Sequence, residues 1–424
     1  MPSSPPVFQV SPTVQQYDWG KRGISSKVAQ FAKAAALPNF STREDASYAE
    51  LWMGTHPTSP SLVASTGEPL GKYLAAHPDL VGQSVIERFD ASDGNLPFLF
   101  KVLAIEKALS IQSHPDKKTA EKLHAKQPDI YKDPNHKPEM ALALTPFTAL
   151  CGFLPLPQIA AFLSVVPEFS ALVPPSILKS FQDIQSSSDP TDPSAKSALK
   201  DVFSAVMTTN ESDIKFQLDM LIQRYSIGKE HAEERTIKDL VLTLNEQFPG
   251  DIGVFCAFML NYVQLKPGEA IFLGAGEPHA YISGDIMECM ANSDNVIRAG
   301  LTPKLRDVPN LVSGLTYTAA PWTKHRVQPS SFPAQSPTSF STLYDPPIPD
   351  FSVVQVVLPQ DHKERHPKVN GPSIVIVTNG KGKISWTEGQ LDVSEGYVFF
   401  VSAGLEIEIR AEEELTMYRA FVEA

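Results

Sequence analysis

Cysteine is scarce in this chain. Three occur in 424 residues (Cys151, Cys256, Cys289), widely spaced and without a CxxC pair. That excludes a cysteine-built zinc site and fits a reducing compartment. Basic clusters are missing as well: 36 Lys and Arg stand against 48 Asp and Glu, a formal charge of −12. An acidic chain without a basic block is a poor partner for nucleic acid or an anionic membrane. There is no P-loop, so any bound phosphate must meet a local group of Lys, Arg and hydroxyl side chains. No apolar run reaches the roughly 18 residues a membrane helix needs. The first ten residues, MPSSPPVFQV, have no basic segment and no long apolar one, so no signal peptide is expected. These absences point to the cytoplasm and to a small-molecule ligand. What is present is core: 42% of residues are hydrophobic and only 20% charged, enough for two or three folded domains.

The chemistry concentrates between Leu99 and Phe153. Gln112 and His114, in Ser110-Ile111-Gln112-Ser113-His114-Pro115-Asp116, follow an apolar, strand-like run. On a continued strand both side chains leave one face, because the repeat is two residues. Alone, Q-x-H fits a half-buried strand with two polar residues as well as a ligand pair. Downstream, Asn135-His136-Lys137-Pro138-Glu139-Met140 sets an imidazole, an amine and a carboxylate before a second apolar run. Gln112, His114 and Glu139 are three donors suited to a borderline divalent metal, with a fourth ligand still to be found.

The rest of the chain divides by pattern. Residues 1 to about 15 are Pro- and Ser-rich and expected to be extended. Tyr17-Asp18-Trp19-Gly20 fits an aromatic-capped turn. Tyr48 to Pro57 fits a strand entering a turn at Gly54, with His56 in the turn. Residues 155–262 carry apolar positions at helical spacing and are expected to form five or six helices, their charges on solvated faces. Lys266 to Tyr281 is a turn, a strand and a Gly-rich bend that ends in His279. Ser283 to Lys304 gathers Glu288, Asp294, Arg298 and Lys304, a mixture that also suits a solvent-facing loop. Residues 331–350 read as a linker, followed by short alternating strands from Phe351 to Phe421. Val393 to Gly404 repeats the turn-strand-bend pattern without a histidine, and His362 and His366 are expected on the surface.

S-I-Q-S-H-P-D followed by D-P-N-H-K-P-E-M resembles the type I phosphomannose isomerases of the cupin superfamily. Y-D-W-G, A-E-L-W-M-G-T-H-P and E-C-M-A-N-S-D-N-V-I-R-A-G-L-T-P-K extend the resemblance over nearly the whole chain. It implies a mainly β fold with an α-helical insertion: two cupin-type jelly-roll barrels plus a helical domain. The catalytic cupin would span 1–154 and 263–330, the insertion 155–262, and a metal-free cupin 331–424. His279 becomes the fourth ligand, completing Gln112, His114, Glu139 and His279 around one Zn2+ per chain. The implied reaction interconverts D-mannose 6-phosphate and D-fructose 6-phosphate through an enediol(ate), feeding GDP-mannose synthesis. Arg298 takes the family's catalytic arginine position. Lys137 and His136 are expected as the proton-transfer pair, with Asp294 assisting ring opening and Glu288 competing for either role. Trp19, Lys101, Ser110, Tyr281 and Lys304 are the expected substrate contacts, Lys101, Ser110 and Lys304 at the phosphate, and a monomer is expected. Two other readings stay open: a non-catalytic sugar-phosphate-binding cupin, and a metal-dependent oxygenase using His114, Glu139 and His279. Against the second, Gln112 fills a position that oxygen chemistry wants open.

Overall fold

Period-two alternation in two long strands builds the middle of the molecule. In Phe98–Ile105, the side chains of Phe98, Phe100, Val102 and Ala104 join one core while Leu103 and Ile105 join another. Its partner, His279–Ala291, sends Met287 and Cys289 to the first core and Ile286 to the second. The two strands pair antiparallel from Gly284↔Ile105 to Ala291↔Phe98. A one-residue slip would turn Lys101 and Glu288 into an apolar core, so burial on both faces fixes the register. Each fully buried Phe in such a strand stabilises the fold by about 1.5–3 kcal/mol.

The computed structural model describes residues 5–187, 189–334 and 340–424. Residues 1–4, Ser188 and residues 335–339 of the expected linker lie outside the described residues. An 11-stranded sheet carries the strands named above, with Glu50–Met53, Ile111–Ser113, Glu139–Ala143, Phe147–Phe153 and Ile297–Gly300. An 8-stranded sheet faces it, built from Ser352–Leu358, Ser373–Asn379, Val398–Val401, Leu415–Phe421 and their neighbours. Phe98, Phe100 and Met287 from the first sheet and Ile374, Phe400 and Tyr418 from the second share one core. Every ladder among the described strands is antiparallel, as in the expected jelly rolls, but the hydrogen bonding closes neither sheet into a barrel.

Several details differ from the sequence reading. Val7–Ser11 is a strand paired with Val398–Val401, so the beginning of the chain adds to the C-terminal sheet before Thr13–Gln15 joins the first. Ser341–Tyr344, inside the expected linker, is a strand paired with Ser352–Leu358. His366 is not on the surface. It is fully buried and bonded to Ser341 Oγ at 2.9 Å, because Lys363–His366 is itself a strand paired with Ile407–Ala411.

Among the described residues the insertion contains six α-helices, from Leu156–Val165 to Lys238–Gln247, within the five or six expected. Side-chain caps start two of them: Asp192 accepts from the Ser194 amide and Asn210 from the Asp213 amide. Leu199, Val202, Phe203 and Val206 make a buried stripe on one of these helices. Not all its charges are solvated: Glu168 and Glu234 are buried against Arg224. Among the described residues, no helix is long and apolar enough to cross a membrane.

Candidate active site

Sheet pairing assembles the site. Gln112 lies opposite His279 on one side and opposite Arg298 on the other. Such cross-strand neighbours share a face, with Cβ atoms about 5 Å apart. Glu139 opens its strand and pairs with both Leu273 and Met290. The result is a buried cluster of His114, Glu139 and His279 whose donor atoms all lie within 4.8 Å of one another.

Both imidazoles are oriented from behind. His114 Nδ1 donates to the Asn295 carbonyl at 2.7 Å, and His279 Nδ1 to the Glu277 carbonyl at 2.9 Å. A carbonyl only accepts, so each Nδ1 carries a proton, and in the neutral ring Nε2 is then the lone-pair nitrogen. Each Nε2 sits 3.3 Å from a different oxygen of Glu139. Neither has a hydrogen-bond partner, although both are buried. Two orphaned imidazole nitrogens turned toward one carboxylate are a donor set that fits a borderline divalent metal such as zinc. At zinc–ligand distances near 2.0–2.2 Å, tetrahedral donors stand about 3.4 Å apart. Burial pulls the His114 pKa down to about 4, leaving it neutral. Burial would push Glu139 up, but Lys137 and His114 outweigh it and hold the carboxyl well below its ordinary range. The bend before His279 couples the two histidines. The Gly276 amide donates to the His114 carbonyl at 2.9 Å. Gly276 has φ +72°, and a Cβ there would stand 2.7 Å from the Gly314 carbonyl, so only glycine fits.

Next to the cluster lies a cavity of about 510 Å³. Trp19, Ser110, Gln112, Arg298 and Lys304 line it, five of the residues singled out from the sequence. Lys107 also lines it, and Phe248 reaches it from the insertion. Among the described residues, Lys107, Arg298 and Lys304 have no carboxylate partner, so three cations face one cavity with their charge unneutralised. A larger cavity, about 620 Å³ around Phe40 and Leu62, shares only Gln16 with this one and holds none of the chemistry.

Other expected residues stand elsewhere. Lys101 occupies one row of the sheet between Trp52 and Glu288. Its ammonium is 3.2 Å from Glu288, 3.9 Å from Glu50 and 4.9 Å from the Trp52 ring centroid, and it does not line the cavity. Burial opposes its charge, yet the two carboxylates hold its pKa above the ordinary lysine value. Burial raises Glu288 against the opposing pull of Lys101. Tyr281 is buried behind the cluster, its hydroxyl donating to Glu139 Oε2 at 3.4 Å. Lys137 reaches the cluster, with Nζ 3.1 Å from Glu139 Oε1. His136 does not: its Nε2 lies 2.9 Å from Asp350, near the start of the second sheet. The expected proton-transfer pair therefore points in two directions.

His56 is more than a turn residue. It is buried, bonded to Thr58 Oγ1 at 2.8 Å through Nδ1, with Nε2 3.3 Å from Asp294 Oδ1. That contact is the main reason the half-exposed Asp294 carboxyl lies below its ordinary pKa. Sequence reasoning also passed over Asn295, whose carbonyl orients His114. Its side chain binds the Asp133 and Asn135 carbonyls, tying the two motif segments together. The signal was there, since Asn295 stands between Asp294 and Arg298 in the motif.

Antiparallel sheets around a buried two-His, one-carboxylate cluster that could hold a metal ion, with Lys107, Arg298 and Lys304 on the cavity beside it, define an antiparallel β protein with a candidate metal centre. Comparison with known proteins narrows this. Sequence models of the type I phosphomannose isomerases match over residues 7–156 (catalytic domain), 176–260 (helical insertion domain) and 341–388 (C-terminal). The mannose-6-phosphate isomerase of Cryptococcus neoformans is 48% identical, covering 99% of this chain and 100% of that one. That of Saccharomyces cerevisiae is 46% identical, covering 98% and 99%. Among solved structures, the apo mannose 6-phosphate isomerase of Salmonella typhimurium superposes with a TM-score of 0.80 at 28% identity, over 99% of this chain and 100% of that one. A mannose 6-phosphate isomerase bound with zinc and yttrium gives 0.81 at 28%, with the same coverage. The chain belongs to the type I phosphomannose isomerase family, and it is accordingly an isomerase.

Proposed function

We propose that the chain interconverts D-mannose 6-phosphate and D-fructose 6-phosphate with one zinc ion per chain. One observation carries the reading: two orphaned, buried imidazole nitrogens meet Glu139 beside a cavity whose cations lack carboxylate partners. The zinc-bound relative supports the choice of metal. His114, Glu139 and His279 would hold the ion, with Gln112 as the fourth ligand. When bound, zinc supplies Lewis-acid polarisation of the sugar oxygens.

The chain's own residues account for the rest. The C2 proton of the open-chain aldose is removed and one is delivered to C1, while O2 loses its proton and O1 gains one. Lys137, at the edge of the cluster, is the proton carrier in this reading and must enter the step as the neutral amine. The Arg298 guanidinium stays charged and faces the developing enediolate. Asp294, backed by His56, assists opening of the pyranose ring, and Glu288 is the competing acid. Ser110 and Lys304 meet the phosphate and Trp19 forms the wall. Lys101 and Tyr281 act from behind, on Glu288 and Glu139. Run toward mannose 6-phosphate in the cytoplasm, the reaction would feed GDP-mannose synthesis.

The test is a coupled assay for fructose 6-phosphate, before and after chelation and with zinc restored. Activity should vanish and return. No turnover in zinc-replete protein would replace this reading with that of a sugar-phosphate-binding protein. Lys137→Ala with zinc retained should abolish exchange of the substrate's C2 hydrogen with solvent. Near-normal exchange would remove Lys137 from the step.

A further inference from the structure

The helical insertion ends on the cavity. Beyond Lys238–Gln247 the chain passes Phe248 and Asp251, enters the 3-10 segment Ile252–Phe258 and rejoins the sheet at Leu260. Three residues of this stretch hold two loops of the cavity wall. Gln247 Oε1 accepts the Ala108 amide at 2.9 Å. The Phe248 ring centroid lies 4.4 Å from Lys107 Nζ. The Asp251 carboxylate accepts the Leu301 amide at 2.7 Å and the Thr302 amide at 3.0 Å.

The second loop is held in a conformation it would not choose. Leu301 has φ +54°, a region leucine rarely adopts, and both Asp251 oxygens are committed to this turn. Backbone meets backbone there as well. A Cβ on Gly300 would stand 2.6 Å from Gly253 Cα, and one on Gly253 would stand 2.5 Å from the Leu301 nitrogen. The clamp thus fixes Lys107 and Ser110 on one loop relative to Thr302 and Lys304 on the other.

Lys107 itself lacks an anionic partner among the described residues. Its ammonium rests on an aromatic face, which holds a cation in place without neutralising it. A phosphate monoester dianion is the counter-ion that Lys107, Lys304 and Ser110 together suit.

We propose that Lys107 binds the substrate's phosphate, and that the end of the insertion, Gln247 to Asp251, is the positioning element that sets the phosphate-binding loops. Lys107 touches the ligand; Phe248 and Asp251 act through it and through the Leu301–Lys304 loop. The proposal rests on the sugar-phosphate reading above.

The experiment compares zinc-loaded full-length variants by mannose 6-phosphate kinetics and by inhibition with inorganic phosphate, with zinc content and melting temperature read in parallel. Lys107→Met should raise KM and the phosphate inhibition constant about tenfold, the scale of one charge-assisted contact. Most of the loss should appear in KM rather than kcat. Lys107→Arg should recover most of it. Phe248→Leu should give a smaller rise in the same two constants, and Phe248→Tyr should restore them. If Lys304→Met raises both constants while Lys107→Met and Phe248→Leu change neither, this proposal is wrong and the sugar-phosphate reading stands. If none of the three moves either constant, the phosphate lies elsewhere and this proposal is wrong; only absence of turnover in the zinc-loaded parent protein would overturn the sugar-phosphate reading. A KM change that tracks zinc loss also counts against the proposal.

Discussion

Arg224 of the helical insertion donates to both oxygens of Glu168 and both of Glu234, at 2.6–2.9 Å. The Tyr225 hydroxyl and the His231 amide complete Glu234. The cluster of His114, Glu139 and His279 is buried more completely than Arg224, yet two of its ring nitrogens have no hydrogen-bond partner. The contrast separates two uses of buried charge. A structural ion cluster satisfies itself, because any lone pair left over costs about 1–3 kcal/mol. A cluster that can take a metal keeps its lone pairs turned toward a common point, and the Asn295 and Glu277 carbonyls hold the rings in that orientation.

The largest effect should come from the ligand cluster. His279→Ala should lower kcat/KM by on the order of a thousandfold, as for loss of a main transition-state stabiliser. Bound zinc, measured by metal analysis, should fall with it, while the circular dichroism of the fold is kept. A variant that holds zinc and turns over normally would erase the distinction.

Arg224→Met should do the reverse. It leaves two buried carboxylates without a charge partner, Glu234 keeping only the Tyr225 hydroxyl and the His231 amide, which costs about 3–5 kcal/mol in denaturant unfolding. Turnover of the folded protein should stay within about twofold, since no residue of this cluster reaches the cavity. Acid sharpens the point. Burial works to raise Glu234, but Arg224, the His231 amide and Tyr225 outweigh it and hold its pKa below the ordinary 4.5. A depressed carboxyl contributes stability that is full above 4.5 and lost as pH falls through the lowered folded-state value. The wild-type advantage over Arg224→Met should therefore be greatest near neutral pH and shrink on acidification. An advantage that grows toward acid would contradict the pairing.

His114 and Glu139 stood out in the sequence because they sit in short local motifs, His279 joined them only through the family resemblance, and the strands of the C-terminal sheet were legible because they alternate. What sequence reasoning missed is tertiary. Lys101 looked like a phosphate ligand because its counter-charges, Glu50 and Glu288, lie on neighbouring strands and meet it only through register. Lys107 drew no notice because Phe248, which marks it, belongs to a helical insertion otherwise without chemistry. His136 could not be separated from Lys137 until Asp350 was seen to hold it. Glu168 and Glu234 read as solvated faces because Arg224 lies 56 residues from the first.

The smallest effect tests whether the C-terminal sheet follows either pattern. Arg419 is fully buried there, with Nε donating to Ser373 Oγ at 2.9 Å and Nη1 to His366 Nδ1 at 3.2 Å, while Nη2 has no partner. Burial pulls its pKa down to about 10. Burial and the nearby guanidinium also hold His366 well below its ordinary value. Unlike Arg224, Arg419 meets only neutral acceptors, so its desolvation is poorly compensated. Arg419→Met loses two hydrogen bonds worth about 0.5–1.5 kcal/mol each and relieves the buried charge. The net change in unfolding free energy should be under about 1.5 kcal/mol, with kcat/KM unchanged. A loss of about 3 kcal/mol or more would mean that a charge partner holds Arg419 as Glu168 and Glu234 hold Arg224. The C-terminal sheet would then share the insertion's way of burying charge.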